Sequence, residues 1–277
     1  MQKKTQCFTT RQSMRENRFE VFRYRDRKLK NVGVHHHDFY EVYFFLGGKV
    51  DFRVQGRFYR LEPGDVLLIA PHELHEAQVD PEEAYERIVL WLDRGYLREL
   101  GGEALTACFG GSTNLLRPDP LQRAELQNIL ERLTDEFYGD RPGAELFARG
   151  LLLQFLVEIN RSVQTDTPTH GEEPDLVSRV LSYIGSHYQE PITLQGLADT
   201  FYVSQYYLSH EFSSRVGTSV YRYILFKRLM QAREMMDQGE NPGAVYQACG
   251  FGDYANFYRA FRGEYGMSPR AYYQSVR

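Results

Sequence analysis

Ser204-Gln-Tyr-Tyr-Leu-Ser-His-Glu-Phe-Ser-Ser-Arg-Val-Gly217 and, 49 residues further on, Asp253-Tyr-Ala-Asn-Phe-Tyr-Arg-Ala-Phe-Arg-Gly-Glu-Tyr-Gly266 are two versions of one segment. Ser204, Leu208, Phe212, Gly217, Ser219 and Tyr223 match Asp253, Phe257, Phe261, Gly266, Ser268 and Tyr272 in position and role. Each copy opens on a side chain suited to accept from the backbone N–H groups of a first helical turn. Each then places two large apolar residues four apart on one face and ends on a glycine that can take positive φ. Two short, capped, amphipathic helices are predicted. Shorter segments precede them, Leu194 to Phe201 and Ala244 to Cys249, the second opened by Asn241-Pro242 in cap and first-turn positions. Helix, tight turn, helix, repeated at a fixed offset, is the pattern of two helix-turn-helix units.

Between the copies, Ser219 to Gln238 contains neither Pro nor Gly and reads as one continuous helix. Its twenty residues span roughly 30 Å at the α-helical rise. One turn of B-DNA is about 34 Å, so a rod of this length can set two recognition helices into successive major grooves on one face of a duplex. Charge alone does not point to DNA. The net charge is −4, and from Pro174 onward ten basic residues face nine acidic ones, +1 against −5 for the rest.

Outward from the repeat, 277 residues with 42% apolar and 25% charged content predict an ordinary globular chain of two domains. Val32 to Trp91 reads as strands: Lys49 to Val54 alternates polar and apolar, Gln55-Gly56-Arg57 turns it, and Asp65 to Ala70 is a short buried run after Pro63-Gly64. From Asp119 the period becomes helical. Leu126, Ile129, Leu130, Leu133 and Phe137 recur, then Leu152, Phe155, Leu156 and Ile159 after a break at Gly139 to Gly143, which predicts an antiparallel helical hairpin. Gln164 to Pro174 is rich in Thr and Pro without apolar residues, a linker composition. No apolar run is long enough to cross a bilayer. Met1 to Arg25 is polar and Arg-rich, unlike a secretory signal, so a cytoplasmic location is expected. Cys7, Cys108 and Cys249 are odd in number and scattered, which predicts reduced thiols rather than a disulfide framework or an all-Cys zinc site.

The last hundred residues resemble the DNA-binding domain of the AraC/XylS family of bacterial regulators. The resemblance is carried by Leu197-Ala198, Val203-Ser204, Tyr207-Leu208, Phe212, Gly217, Arg228 to Ala232, Gly250-Phe251, Phe257, Phe261, Gly266 and Ser268-Pro269. It implies a sequence-specific regulator that binds a double-stranded operator, answers to a small-molecule effector such as a sugar, forms a homodimer and has RNA polymerase as a partner. By positional match, Tyr206, Ser209 and His210 would face bases from the first recognition helix, and Tyr254, Ala255, Tyr258 and Arg259 from the second. Ser204 and Asp253 cap those helices, and Arg215 and Arg262 fit phosphate contacts, which position without specifying. Tyr206 and Tyr254 lie opposite the apolar anchors, and an arginine placed like Arg259 most often reads guanine. Tyr246 departs from the family pattern, which has a small Ala there.

His35-x-His37-x3-Glu41-x6-Gly48, then Gly64 and His75, has the spacing of the two ligand motifs of cupins. The stretch Asn31 to Leu92 resembles the cupin-like sensory barrel that precedes the DNA-binding part in many of these regulators. Period two puts His35, His37 and Glu41 on one side of a strand. His35, His37, Glu41 and His75 are suitable ligands for a divalent metal, but the expected state is a mutually hydrogen-bonded polar cluster with no cofactor. Trp91 fits either an effector contact, stacked on a sugar ring, or the core.

The expected fold is multidomain α+β: a cupin-like antiparallel β-barrel with a helical hairpin, then an all-α domain with two helix-turn-helix motifs. The expected boundaries are an N-terminal arm at 1–30, an effector-sensing barrel at 31–117, a hairpin at 118–163 whose apolar stripe either forms a dimer surface or packs on its own barrel, a linker at 164–174 and the DNA-binding domain at 175–277. A metal-dependent cupin enzyme with a helical appendage explains the ligand spacing but not the repeat. A DNA-repair methyltransferase needs a reactive cysteine and a Cys cluster that three scattered thiols do not supply. The chain is read as a regulator and not as an enzyme.

Overall fold

The computed structural model describes residues 5–8, 13–111, 113–165 and 175–277. The chain divides into two compact units, 1–171 and 172–277. Most of the expected linker, 166–174, lies outside the described residues.

The first unit is built on two antiparallel sheets. β1 (Phe19–Asp26), β8 (Tyr85–Leu92), β3 (Tyr40–Gly47), β6 (Val66–Ile69) and β9 (Leu115–Leu116) form one, in that order. β2 (Asn31–His35), β7 (His75–Val79), β4 (Val50–Val54) and β5 (Arg57–Arg60) form the other. Strand parity sorts the larger sheet's side chains into two cores. Phe22, Tyr24, Tyr43, Phe45, Leu67, Ile69, Tyr85, Val89 and Trp91 meet Val50, Phe52, Val54, Ala77 and Val79 of the smaller sheet. Their strand neighbours Val21, Val42, Phe44, Val66, Leu68, Ile88 and Leu90 point the other way, onto helices.

Those helices are α1 (Arg94–Leu100), α2 (Glu103–Thr106), α3 (Pro120–Phe137) and α4 (Ala144–Thr165). The pair α3 and α4 is the hairpin read from the sequence. Its apolar stripe, Leu126, Ile129, Leu130 and Leu133 with Leu152, Phe155, Leu156 and Ile159, is buried against the larger sheet. The stripe therefore cannot itself be a dimer surface, because its partner is the chain's own barrel. On the hairpin, Leu121, Leu146 and Phe147 remain exposed.

The barrel also begins earlier than expected. Phe19 to Asp26, assigned above to an N-terminal arm, pairs along its whole length with β8. This strand buries both faces, which erases simple alternation, and its charges are paired through the fold. Arg23 reaches Glu131, Arg25 reaches Glu86, and Asp26 reaches Arg87. Residues 94–110, read as part of the barrel, are instead helical, with Asp93 capping α1 at Tyr96 N.

The second unit is all helical: α5 (Leu176–His187), α6 (Leu194–Thr200), α7 (Gln205–Val216), α8 (Val220–Asp237), α9 (Pro242–Ala248), α10 (Tyr254–Tyr265) and α11 (Pro269–Ser275). α8 is the shared spine. Val220, Tyr223 and Ile224 are buried near its start, with Tyr223 edge-on to Phe212 of α7. Toward its end Leu229, Ala232 and Met236 pack with Val245, Cys249, Phe251, Phe257 and Phe261. Cys108 and Cys249 are buried free thiols, each pushed up to about 12 by burial. No helix among the described residues is long and apolar enough to cross a membrane.

Candidate nucleic-acid interface and effector site

Both recognition-type helices are made alike. Ser204 Oγ accepts from Tyr207 N at 3.1 Å, and Asp253 Oδ1 accepts from Asn256 N at 2.7 Å. Each helix is twelve residues long and stops at a left-handed glycine, Gly217 at φ +75° and Gly266 at φ +71°. Leu208, Phe212 and Val216 on α7, and Phe257 and Phe261 on α10, are buried, which leaves the opposite faces to solvent. The repeat is not uniform, however. α6 and α9, capped by Thr193 and Asn241, stand 48 residues apart rather than 49, so the second turn, Cys249 to Gly252, is one residue longer. Tyr202 and Gly250 take the positive φ in the two turns.

On α7, Tyr206 is 81% exposed and its ring stacks on His210 one turn later, while Ser209 is half-buried beside them. On α10, Ala255, Arg259 and Arg262 are exposed and Tyr258 is half-buried. Tyr254 is only 38% exposed, because it rests edge-on against Tyr246, with ring centres 5.6 Å apart. The large residue at 246 thus braces the start of the second recognition helix. Arg259 donates to Asn256 Oδ1, and Asn256 Nδ2 donates to the cap Asp253, so the guanidinium is tethered to the first turn. Arg215 is placed differently. It donates to Asp175 at 2.8 Å and lies 3.5 Å from Glu211, so a phosphate reaching it has to displace two carboxylates.

Arg228 and Gly250, named above only as carrying the family resemblance, hold the two helix-turn-helix motifs together. Arg228 donates from the middle of α8 to the carbonyls of Tyr188 and Glu190, both at 2.7 Å, and burial lowers its pKa. At Gly250 a Cβ would meet Gln189 O at 2.6 Å. The α5–α6 connection is thus fixed both to the spine and to the second turn. A left-handed glycine directly after a short helix was the signal available for the second of these.

In the first unit, His37, Glu41 and His75 converge, with ligand atoms all within 4.8 Å of one another. His35 is not part of this group. It sits on β2 in the smaller sheet, whereas Glu41 is on β3 in the larger one, so the two do not share a strand. A register shift between Val32 and His35 further breaks the parity. The His35 ring still lies 4.1 Å from the His75 ring. Burial lowers the pKa of His35, and it lowers that of His75 strongly, aided by neighbouring His37 and His35. Burial thus favours the neutral form of both rings. Trp91 is buried between Phe22 and Phe39, at ring distances of 4.8 and 4.7 Å, and pairs across the sheet with Glu41. It is a core residue next to the polar cluster.

Residues 19–156 match the AraC-like ligand binding domain, and residues 197–275 match a helix-turn-helix domain. The arabinose operon regulatory protein of Escherichia coli is 29% identical over 220 residues, covering 78% of this chain and 73% of that protein. The HTH-type transcriptional activator RhaS of Yersinia pseudotuberculosis is 25% identical over 240 residues, covering 85% of this chain and 87% of its own. Among solved structures, ToxT from Vibrio cholerae aligns over 93% of this chain and 98% of its own at 13% identity and a TM-score of 0.39. A ligand-binding barrel followed by two helix-turn-helix units on one spine, with relatives that are regulators over most of its length, makes this chain a DNA-binding transcription regulator of the AraC/XylS family.

Proposed function

We propose that this regulator reads one operator with both units, in successive major grooves, and that a sugar-class effector in the barrel controls the reading. The observation that carries the proposal is the construction of the second unit: two like-capped recognition helices on α8, whose 18 residues span roughly 27 Å, close to one turn of DNA. In this reading Tyr206, Ser209 and His210, then Tyr254, Ala255, Tyr258 and Arg259, face base edges, Ser204 and Asp253 lie at the groove-facing helix starts, and Arg262 meets phosphate. The sugar class rests on analogy with a relative named for the arabinose operon. The chain acts in the cytoplasm and as a homodimer. The apolar side chains left exposed on the hairpin, Leu121, Leu146 and Phe147, support self-association. Contact with RNA polymerase follows by analogy with relatives named transcriptional activators. A catalytic role is not part of the proposal, since it gives the paired units no task.

Arg259→Ala tests the base-reading assignment. Operator affinity is expected to fall by about 1–3 kcal/mol, with lost preference at a single base pair, as measured by titration against operator variants at fixed salt. An equal loss on every sequence makes Arg259 a phosphate contact, and no loss at all contradicts the placement of α10 in the groove.

A further inference from the structure

His37 Nδ1 lies 2.9 Å from the Phe39 carbonyl and His75 Nδ1 lies 2.8 Å from the Glu73 carbonyl. A carbonyl oxygen only accepts, so both Nδ1 atoms carry the proton and both rings present Nε2 inward. His37 Nε2 then faces the Glu41 carboxylate at 2.7 Å. His75 Nε2 lies 3.7 Å from the same oxygen, with no hydrogen-bond partner, on a side chain only 2% exposed. Two nitrogen lone pairs and a carboxylate aimed at one another in a buried place repel unless a cation lies among them. A proton on His37 serves one of these contacts but leaves His75 Nε2 without a partner.

We propose that the barrel holds one divalent first-row transition-metal ion on His37 Nε2, His75 Nε2 and a Glu41 carboxylate oxygen. Two imidazoles and one carboxylate suit zinc, iron, nickel, cobalt or manganese, whereas magnesium and calcium take all-oxygen shells. Each imidazole is already fixed through its other nitrogen by a carbonyl, the orientation that metal-binding histidines require. The ligand atoms span up to 4.8 Å and need to close by about 1 Å to surround an ion at 2.0–2.2 Å from each. Three protein ligands leave coordination positions open for water or for an oxygen donor on an effector. The site stands on this geometry and holds whichever organic effector the barrel takes.

Trp91 supplies a local readout, because it is the only tryptophan and pairs across the sheet with Glu41. The full-length, tag-free protein, stripped with chelator and dialysed, is titrated with Co²⁺ while Trp91 emission is followed, then challenged with Zn²⁺, with bound metal counted by elemental mass spectrometry. Quenching that saturates at one equivalent and is relieved by Zn²⁺ is the expected result. Glu41→Gln and His75→Gln are expected to weaken binding about 100-fold or more, since even outer-shell partners are worth about 10- to 100-fold. Cys7→Ser, which removes an exposed thiol, is expected to leave binding unchanged. Absence of saturable quenching in the wild-type protein overturns the proposal, as does unchanged binding in folded Glu41→Gln and His75→Gln. If either variant fails to fold, the wild-type titration decides alone. Operator binding is measured separately, so loss of the metal site and failure of the regulator reading are told apart.

Discussion

Arg87→Ala is expected to destabilise the first unit by about 3–5 kcal/mol, the cost of breaking a buried ion pair by removing one partner. The Arg87 side chain is only 2% exposed and donates to Asp26 Oδ2 at 2.5 Å. Its guanidinium lies 4.2 Å over the Tyr85 ring and 4.7 Å over the Tyr24 ring. Asp26 in turn accepts from Phe8 N at 3.0 Å, so the pair also ties the segment before β1 to the barrel. Removing the arginine leaves a buried carboxylate without its counter-ion and the rings of Tyr85, Tyr24 and Phe8, the last 5.6 Å from the guanidinium, around a void. Arg87→Met, which fills the volume, still strands Asp26, whereas Arg87→Met combined with Asp26→Asn is expected to recover part of the loss. Trp91 emission reports this unit alone, so urea unfolding followed at that wavelength measures the effect. A midpoint unchanged by Arg87→Ala contradicts the buried pair.

Phe257→Ala is expected to cost a similar amount, about 3–5 kcal/mol, but in the other unit. Phe257 is fully buried, with ring contacts to Phe251 at 5.1 Å and Phe261 at 5.6 Å. It closes the cluster formed by the C-terminal half of α8 with α9 and α10. Phe212 and Tyr223 belong to the other half of the spine, so the first helix-turn-helix should keep its core. The expected outcome is an early helical transition by far-UV circular dichroism with no movement of the Trp91 transition. The operator footprint should shrink to the block read by α7. A full footprint with an unshifted helical transition contradicts the division of α8 into two half-cores.

The parts of this chain legible in sequence are those whose signals are local. Caps at Ser204, Asn241, Asp253 and Ser268, and stops at Gly217 and Gly266, act on neighbouring backbone, and the helices begin and end where those residues stand. The less legible parts depend on partners distant in sequence. β1 carries Arg23, Arg25 and Asp26, which look like arm residues until Glu131, Glu86 and Arg87 arrive from other elements. The hairpin stripe is plain in the sequence, but its burial against the sheet rather than another copy is a property of the fold. His35, His37 and Glu41 look like one strand face because spacing cannot reveal that the chain changes sheets between them. The extra residue in the second turn is invisible to a search at one offset, since α7, α10 and all that follows them keep the register of 49.

Two helix-turn-helix motifs on one spine should read two stretches of a single duplex. Selection of binding sites from random oligonucleotides by the full-length protein, at stated salt because phosphate contacts make affinity salt-dependent, tests it most directly. The expected result is an asymmetric site with two short conserved blocks whose centres lie about 10 bp apart, one helical turn. A single conserved block, or no enrichment over non-specific binding, contradicts it.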